Sequence, residues 1–564
     1  MYCDFTVEIP ECPGKIYIKN LKGTYYVNYE YDRVYHPDKK YNIPKRTTIG
    51  KVTLEDSSRM YPNANFLKFF PDAEIPEERQ NSNRSCCLQI GAWIVIRKII
   101  EDYGLSTMLL KWFKPQEAGL LLDLAAYTII TEGNAAQYYP AYAYHHPLFS
   151  EKMKIYSDTK VGSFLQDIAK DQQVGFLNSW NEKRDHREKI YISYDSTNKN
   201  CQSGEIDMAE YGYAKDDKSK PIVNYAIAYD RNNREPLYYE DYLGSIADVS
   251  QLQCMLEKAN AFGYKNVGFI LDRGYFSEPN IHFMDRNGYS FVIMVKGMAQ
   301  FVSESVLEVK GTFEDSRSHS ISGYHAYGTT VKRKLYPTDE KERYFHIYYS
   351  SGRNNAEREK LENTLDKIAK GLKKLKGKKN VELGKQVLRY FKPIIHKDQT
   401  FLYGMERKDV IDRELKLCGY FAIVTSEKMN AEEALRLYKG RDASEKLFRG
   451  DKSYLGNNAF RVHSNESVES KIFIEFIALI IRNKIYTSLF DEKERLGKEP
   501  NYMTVPAAIR ELEKMELIRI AQDGYRRDHA ITATQKAILK AFGIENAYLR
   551  KAINELIELL KTAE

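Results

Sequence analysis

The stretch from Lys189 to Val295 constrains the fold most. Lys189-Ile190-Tyr191-Ile192-Ser193-Tyr194, Ile222 to Tyr229 and Pro236 to Tyr239 are rich in β-branched and aromatic residues and are separated by polar turns, the pattern of an antiparallel meander. The periodicity then changes. Asp248 to Phe262 predicts a helix opened by Asp and Ser, Asn266 to Leu271 a strand, Glu278 to Asn287 a second helix and Ser290 to Val295 a further strand. Strands joined through helices have the long connections that parallel pairing requires, so the region predicts an α/β core. Farther on, Gly419 to Thr425 reads as a buried strand, and a helix begins near Asn430.

Two aspartates end strands of this core. Asp195 follows Tyr194 and Asp272 follows Leu271, at the edge of an α/β sheet where functional side chains converge. A third group lies on the helix after Asn430. Tyr438, Arg441, Glu445 and Lys452 stand at offsets of three, four and seven, which at about 100° per residue form one narrow stripe. Taken singly, each has a plain structural reading: a turn or cap aspartate, a solvated helix face. Taken together, Asp195, Asp272 and Glu445 would repel one another unless a cation neutralised them, so the set points to a divalent metal site. Oxygen-only ligands suit Mg²⁺ or Mn²⁺, and two such ions support in-line displacement at phosphorus. On that reading Arg441 and Lys452 neutralise phosphate charge, and Tyr438 bonds or stacks at a DNA strand end. Asp442 and Asp451 are rival carboxylates, and Gly440 and Gly450 weaken the helix that carries the stripe.

The rest of the chain bounds the partners. With 564 residues it holds several domains, and a net charge of only +7 means that affinity for nucleic acid must come from local patches. Lys39, Lys40, Lys45, Arg46 and Lys51 form one such patch, and Arg353 to Lys392 another, with 13 Lys/Arg against 5 Asp/Glu. Gly371 and Gly377 do not make a phosphate-binding loop, since Lys379 stands where Ser or Thr would be needed. Lys15 to Val52 alternates as a small β-meander, Ser85 to Trp180 is helical in period, and the tail from Val505 is amphipathic and helical. The Tyr-rich segment Tyr138 to His146 reads as a packed loop or an aromatic contact surface, and its adjacent His pair lacks the spacing of a metal site. The seven scattered cysteines and the most apolar run, Ile472 to Ile481, which is short and contains Glu475, lead us to expect a reduced cytoplasmic protein with no membrane span.

The motifs resemble the DDE transposases of bacterial insertion sequences, in particular the insertion-sequence-four-like group whose catalytic helix reads Tyr-x2-Arg-x3-Glu-x6-Lys. Here these are Tyr438, Arg441, Glu445 and Lys452, with Asp272-Arg273-Gly274-Tyr275-Phe276 and Tyr194-Asp195-Ser196-Thr197 as the two aspartate motifs. The resemblance spans roughly Lys189 to Lys484. It implies a ribonuclease H-like catalytic core interrupted by a β-rich insertion domain. The expected layout is a small β-rich region at 1–60, a helical, DNA-end-binding domain at 61–186, core at 187–297, a β-rich and basic insertion at 298–416, core at 417–490 and a helical C-terminal region at 491–564. It further implies metal-dependent cleavage at terminal inverted repeats and strand transfer into target DNA, with two Mg²⁺ or Mn²⁺ ions held by Asp195, Asp272 and Glu445. The expected assembly is a homodimer on paired double-stranded DNA ends. Some relatives stack an insertion-domain aromatic on a flipped base, but Trp93, Trp112 and Trp180 all lie outside 298–416. A ribonuclease H-like nuclease, or a catalytically silent DNA-binding relative, would use the same core.

Overall fold

A computed structural model describes the chain apart from residues 1, 4, 13–14, 22, 38, 55, 76–83, 185–188, 202–204, 296–298, 442–458, 521–523 and 564. It divides into two compact units, residues 168–483 and residues 1–167 with 484–564.

The first of these is built on one sheet. Its strands are β1 (Ile190–Cys201), β2 (Ile222–Asp230), β3 (Glu235–Leu243), β4 (Val267–Leu271), β5 (Ser290–Met294), β6 (Ser320–Ile321), β7 (Ala326–Lys334), β8 (Glu342–Tyr349), β11 (Tyr420–Thr425) and β12 (Ala459–Phe460). A separate hairpin holds β9 (Phe391–Ile395) and β10 (Phe401–Glu406). The helices are α1 (Lys170–Glu182), α2 (Asp248–Ala261), α3 (Glu278–Arg286), α4 (Ala299–Val309), α5 (Ser351–Leu375), α6 (Lys385–Tyr390), α7 (Lys408–Leu417), α8 (Ala431–Lys439) and α9 (Asn465–Leu496), which runs on into the second unit.

The order across the sheet is β3-β2-β1-β4-β5-β11-β8-β7-β6, with β12 added parallel to the end of β1. β1, β2 and β3 are antiparallel neighbours, the last two joined by a short turn, whereas β4 lies parallel to both β1 and β5. Alternation sends neighbouring side chains to opposite faces. On β3, the Tyr238 hydroxyl donates to the Met255 carbonyl of α2, while the Tyr239 ring packs at 5.2 Å on Phe476 of α9. Helices therefore cover both faces, which accounts for the near-continuous burial of β2 and β4.

Residues 298–416 are mixed rather than β-rich. β7 and β8 belong to the main sheet, where β8 pairs with β11 from Tyr344↔Thr425 to Tyr349↔Tyr420. Besides α4 and β6, the range holds the long helix α5, folded with α6, α7 and the β9–β10 hairpin over Leu365, Leu372, Phe391 and Phe401.

The second unit opens with a five-stranded antiparallel sheet around Val27, Ile49 and Met60. Its middle is helical, at Gly91–Tyr103, Pro115–Thr131 and Tyr139–His145. Tyr139 and Tyr142 are buried, and His146 bonds to the Tyr142 carbonyl and to Glu513, so these three belong to the packed core, whereas Tyr138 and Tyr144 are exposed. The tail is not wholly helical: Glu516–Ile520 and Gly524–Arg527 form a hairpin that pairs with Cys87–Gln89. No helix among the described residues is long and apolar enough to cross a membrane.

Candidate active site

Parallel pairing of β1 with β4 sets Tyr194 opposite Leu271, so Asp195 and Asp272 take the next position on adjacent strands. Asp272 leaves its strand in extended backbone and caps the turn Arg273–Tyr275. Its Oδ1 accepts a hydrogen bond from the Tyr438 hydroxyl at 3.3 Å and lies 3.6 Å from Nη1 of Arg441. The Arg441 guanidinium also sits 5.6 Å from the centroid of the Tyr438 ring, so charge and ring quadrupole reinforce one another. Burial pushes the Asp195 carboxyl up to about 6, and the negative charge of Asp272 adds to the shift, while Arg441, Lys215 and the Ser196 N–H act against it.

Tyr438 is 5 % exposed and packs with Ile270, Val292 and Leu435, and its hydroxyl is turned toward Asp272. The expected single helical stripe is interrupted. Asn430 caps α8 by accepting from the Glu433 N–H, and the helix ends at Lys439 with Gly440 as its C-cap, leaving Arg441 in a turn. Gly440 has a local reason: a Cβ there would lie 2.0 Å from Nε of Arg231. Glu445 and Lys452, with Asp442, Gly450 and Asp451, lie outside the described residues.

Lys215 is a site neighbour that sequence reasoning missed. Its Nζ donates to the Ser196 carbonyl and its charge acts on Asp195. Within Ala214-Lys215-Asp216-Asp217-Lys218-Ser219-Lys220 it reads as a solvated turn, and no spacing signal sets it apart.

Two carboxylates on adjoining strands, one of them held above its ordinary range by burial and by the other's charge, form a hard oxygen donor set that a divalent cation would relieve. Among the described residues no group of three or more His, Cys, Asp or Glu that could hold a metal ion comes together, and Glu445, expected from the sequence as the third carboxylate, lies outside them.

Residues 187–481 match the family model of the transposase DDE domain. This is more than half of the chain, and the chain belongs to the DDE transposases, DNA-cleaving enzymes of transposition. A search of curated proteins found no match. Among solved structures, a cryo-EM structure of the piggyBac transposase synaptic complex with hairpin DNA is similar at 10% identity, covering 83% of this chain and 76% of that one, with a TM-score of 0.32. That likeness is too slight to bear on fold or mechanism.

Proposed function

We propose that this transposase cuts DNA at the terminal inverted repeats of a bacterial insertion sequence and joins the freed ends to target DNA, by a cut-and-paste route. The observation that carries the reading is the meeting of Asp195 and Asp272 on adjacent parallel strands, with Tyr438 and Arg441 directed at Asp272. The strand order β3-β2-β1-β4-β5 supports a ribonuclease H-like core, and the spacing of Tyr438, Arg441, Glu445 and Lys452 supports the insertion-sequence-four-like group.

Asp195, Asp272 and Glu445 would hold two Mg²⁺ or Mn²⁺ ions. When bound, such a pair activates a water or a 3′-hydroxyl and stabilises the leaving oxygen. The chain's own groups then have defined tasks. Tyr438 holds the Asp272 carboxylate through Oδ1, Arg441 supplies positive charge beside it, and Lys452 neutralises phosphate charge. The buried flank at Asp195 keeps bulk water from competing. Since two ends must be joined, a homodimer on paired double-stranded DNA ends is the assembly this chemistry calls for.

The test is cleavage of a plasmid carrying the gene with its natural flanks, in Mg²⁺, by the wild type, Asp272→Asn and Glu445→Gln. Cutting by the wild type alone, at repeats bounding the gene, is expected. Cutting by either variant at the wild-type rate would refute the assignment, and DNA binding without cutting by all three would leave a silent relative.

A further inference from the structure

The segment from Glu205 to Lys220, between β1 and β2, is built tightly against the strand that carries Asp195. The Asn198 side chain donates from Nδ2 to the Tyr213 carbonyl at 3.1 Å and accepts through Oδ1 from the Lys215 N–H at 3.1 Å. Asn200 repeats the device on Asp217, donating to its carbonyl at 2.9 Å and accepting from its N–H at 3.3 Å. Each amide thus does for the loop what a paired strand would do. On the other side the loop runs against Gly244: a Cβ on Gly212 would lie 1.9 Å from the Gly244 carbonyl oxygen, and one on Gly244 would lie 2.4 Å from that of Glu210.

This clamped backbone presents bare aromatic rings. Tyr213 is 86 % exposed and Tyr211 71 %. Such rings give the fold little apolar burial, whereas a rigid backbone lets them bind with little loss of conformational freedom. Lys215, next to them, uses one N–H on the Ser196 carbonyl and keeps two further donors. Asn198 is three residues along β1 from Asp195, about 10 Å at strand rise, or roughly three nucleotides of stacked strand.

We infer that residues 205–220 form a strand clamp, in which Tyr213 stacks on an unpaired DNA base within a few nucleotides of the phosphate at Asp195 and Asp272, and Lys215 bonds an adjoining phosphate. The inference rests on the strand-cutting reading of that site. It places the stacking residue on the first core strand's loop, outside residues 298–416.

The test uses the full chain in Ca²⁺, which allows binding to be read apart from cutting, and a short duplex with a splayed end carrying 2-aminopurine, whose fluorescence falls on stacking. Wild type and Tyr213→Phe should quench the probe. Tyr213→Ala, a change at an exposed position, should bind the splayed end about fivefold or more weakly and the fully paired duplex as well as wild type does. Equal quenching by Tyr213→Ala, or an equal loss on the paired duplex, would overturn the clamp. The readout needs no cleavage. If wild type quenches the probe but cuts no plasmid, the cleavage reading fails and the stacking contact stands; if wild type cuts while Tyr213→Ala quenches normally, the clamp alone fails.

Discussion

Glu475→Gln tests what holds β1 in place. Lys199 on β1 is fully buried, and its Nζ lies 2.7 Å from Oε2 of Glu475 on α9, whose side chain is 6% exposed. Lys471, one turn earlier on α9, is buried as well, and burial pushes its ammonium down to about 8, with Lys199 adding to the shift and Glu475 opposing it. One carboxylate therefore serves two buried cations. Gln preserves the volume and removes the charge, and breaking a buried pair in this way costs about 3–5 kcal/mol. With a urea dependence of roughly 3 kcal/mol per molar, the midpoint of unfolding should fall by about 1–2 M. The double variant Lys199→Met, Glu475→Leu removes both charges and should recover most of the loss. Raising the pH toward about 9 should stabilise both proteins as Lys471 sheds its proton, and Glu475→Gln more than wild type, because the carboxylate that opposes the downward shift is gone. A single variant within about 1 kcal/mol of wild type, or a double variant as unstable as the single, would refute the reasoning.

Gly440→Ala places a methyl group 2.0 Å from Nε of Arg231; displacing that side chain should cost about 1–3 kcal/mol, and adding Arg231→Ala should restore the melting temperature. No recovery would mean that the glycine serves the backbone instead. In the other unit, burial pushes the Asp123 carboxyl up to about 7, against hydrogen bonds from the Phe149 and Ser150 N–H groups. The unfolded carboxyl ionises near pH 4 and the folded one near 7, so its stabilising contribution is full below about pH 4 and is lost as the pH rises to about 7, by up to roughly 1.4 kcal/mol per pH unit. Asp123→Asn should flatten that slope in urea titrations, and an unchanged slope would assign it to other groups.

The order of core strands and helices was legible because each element carries its own periodicity: Asn266 to Leu271 was expected and Val267–Leu271 is found. Strand partners were not. Tyr344 to Tyr349 reads as a strand, but nothing local says that it joins β11 in the main sheet rather than closing a domain of its own. The five-residue strand Glu516–Ile520 likewise finds its neighbour, Cys87–Gln89, near the opposite end of the chain. At the site, the strand-end positions of Asp195 and Asp272 were readable as spacing. The burial of Tyr438 depends on α8 packing across β4 and β5, and Lys215 is brought to Asp195 by long-range bonds to Asn198 and Ser196, so neither could be read from neighbours in sequence.

β1 does two jobs on alternate residues. Asp195 and Lys199 share one face, carrying the site and the buried ion pair, while Asn198 and Asn200 hold the 205–220 loop from the other. Substitutions can separate these jobs, but a one-residue insertion or deletion within the strand cannot, since it turns every later side chain over at once. An inserted or deleted residue is therefore better borne by the segments flanking β1 than by the strand, which can change in sequence more readily than in length.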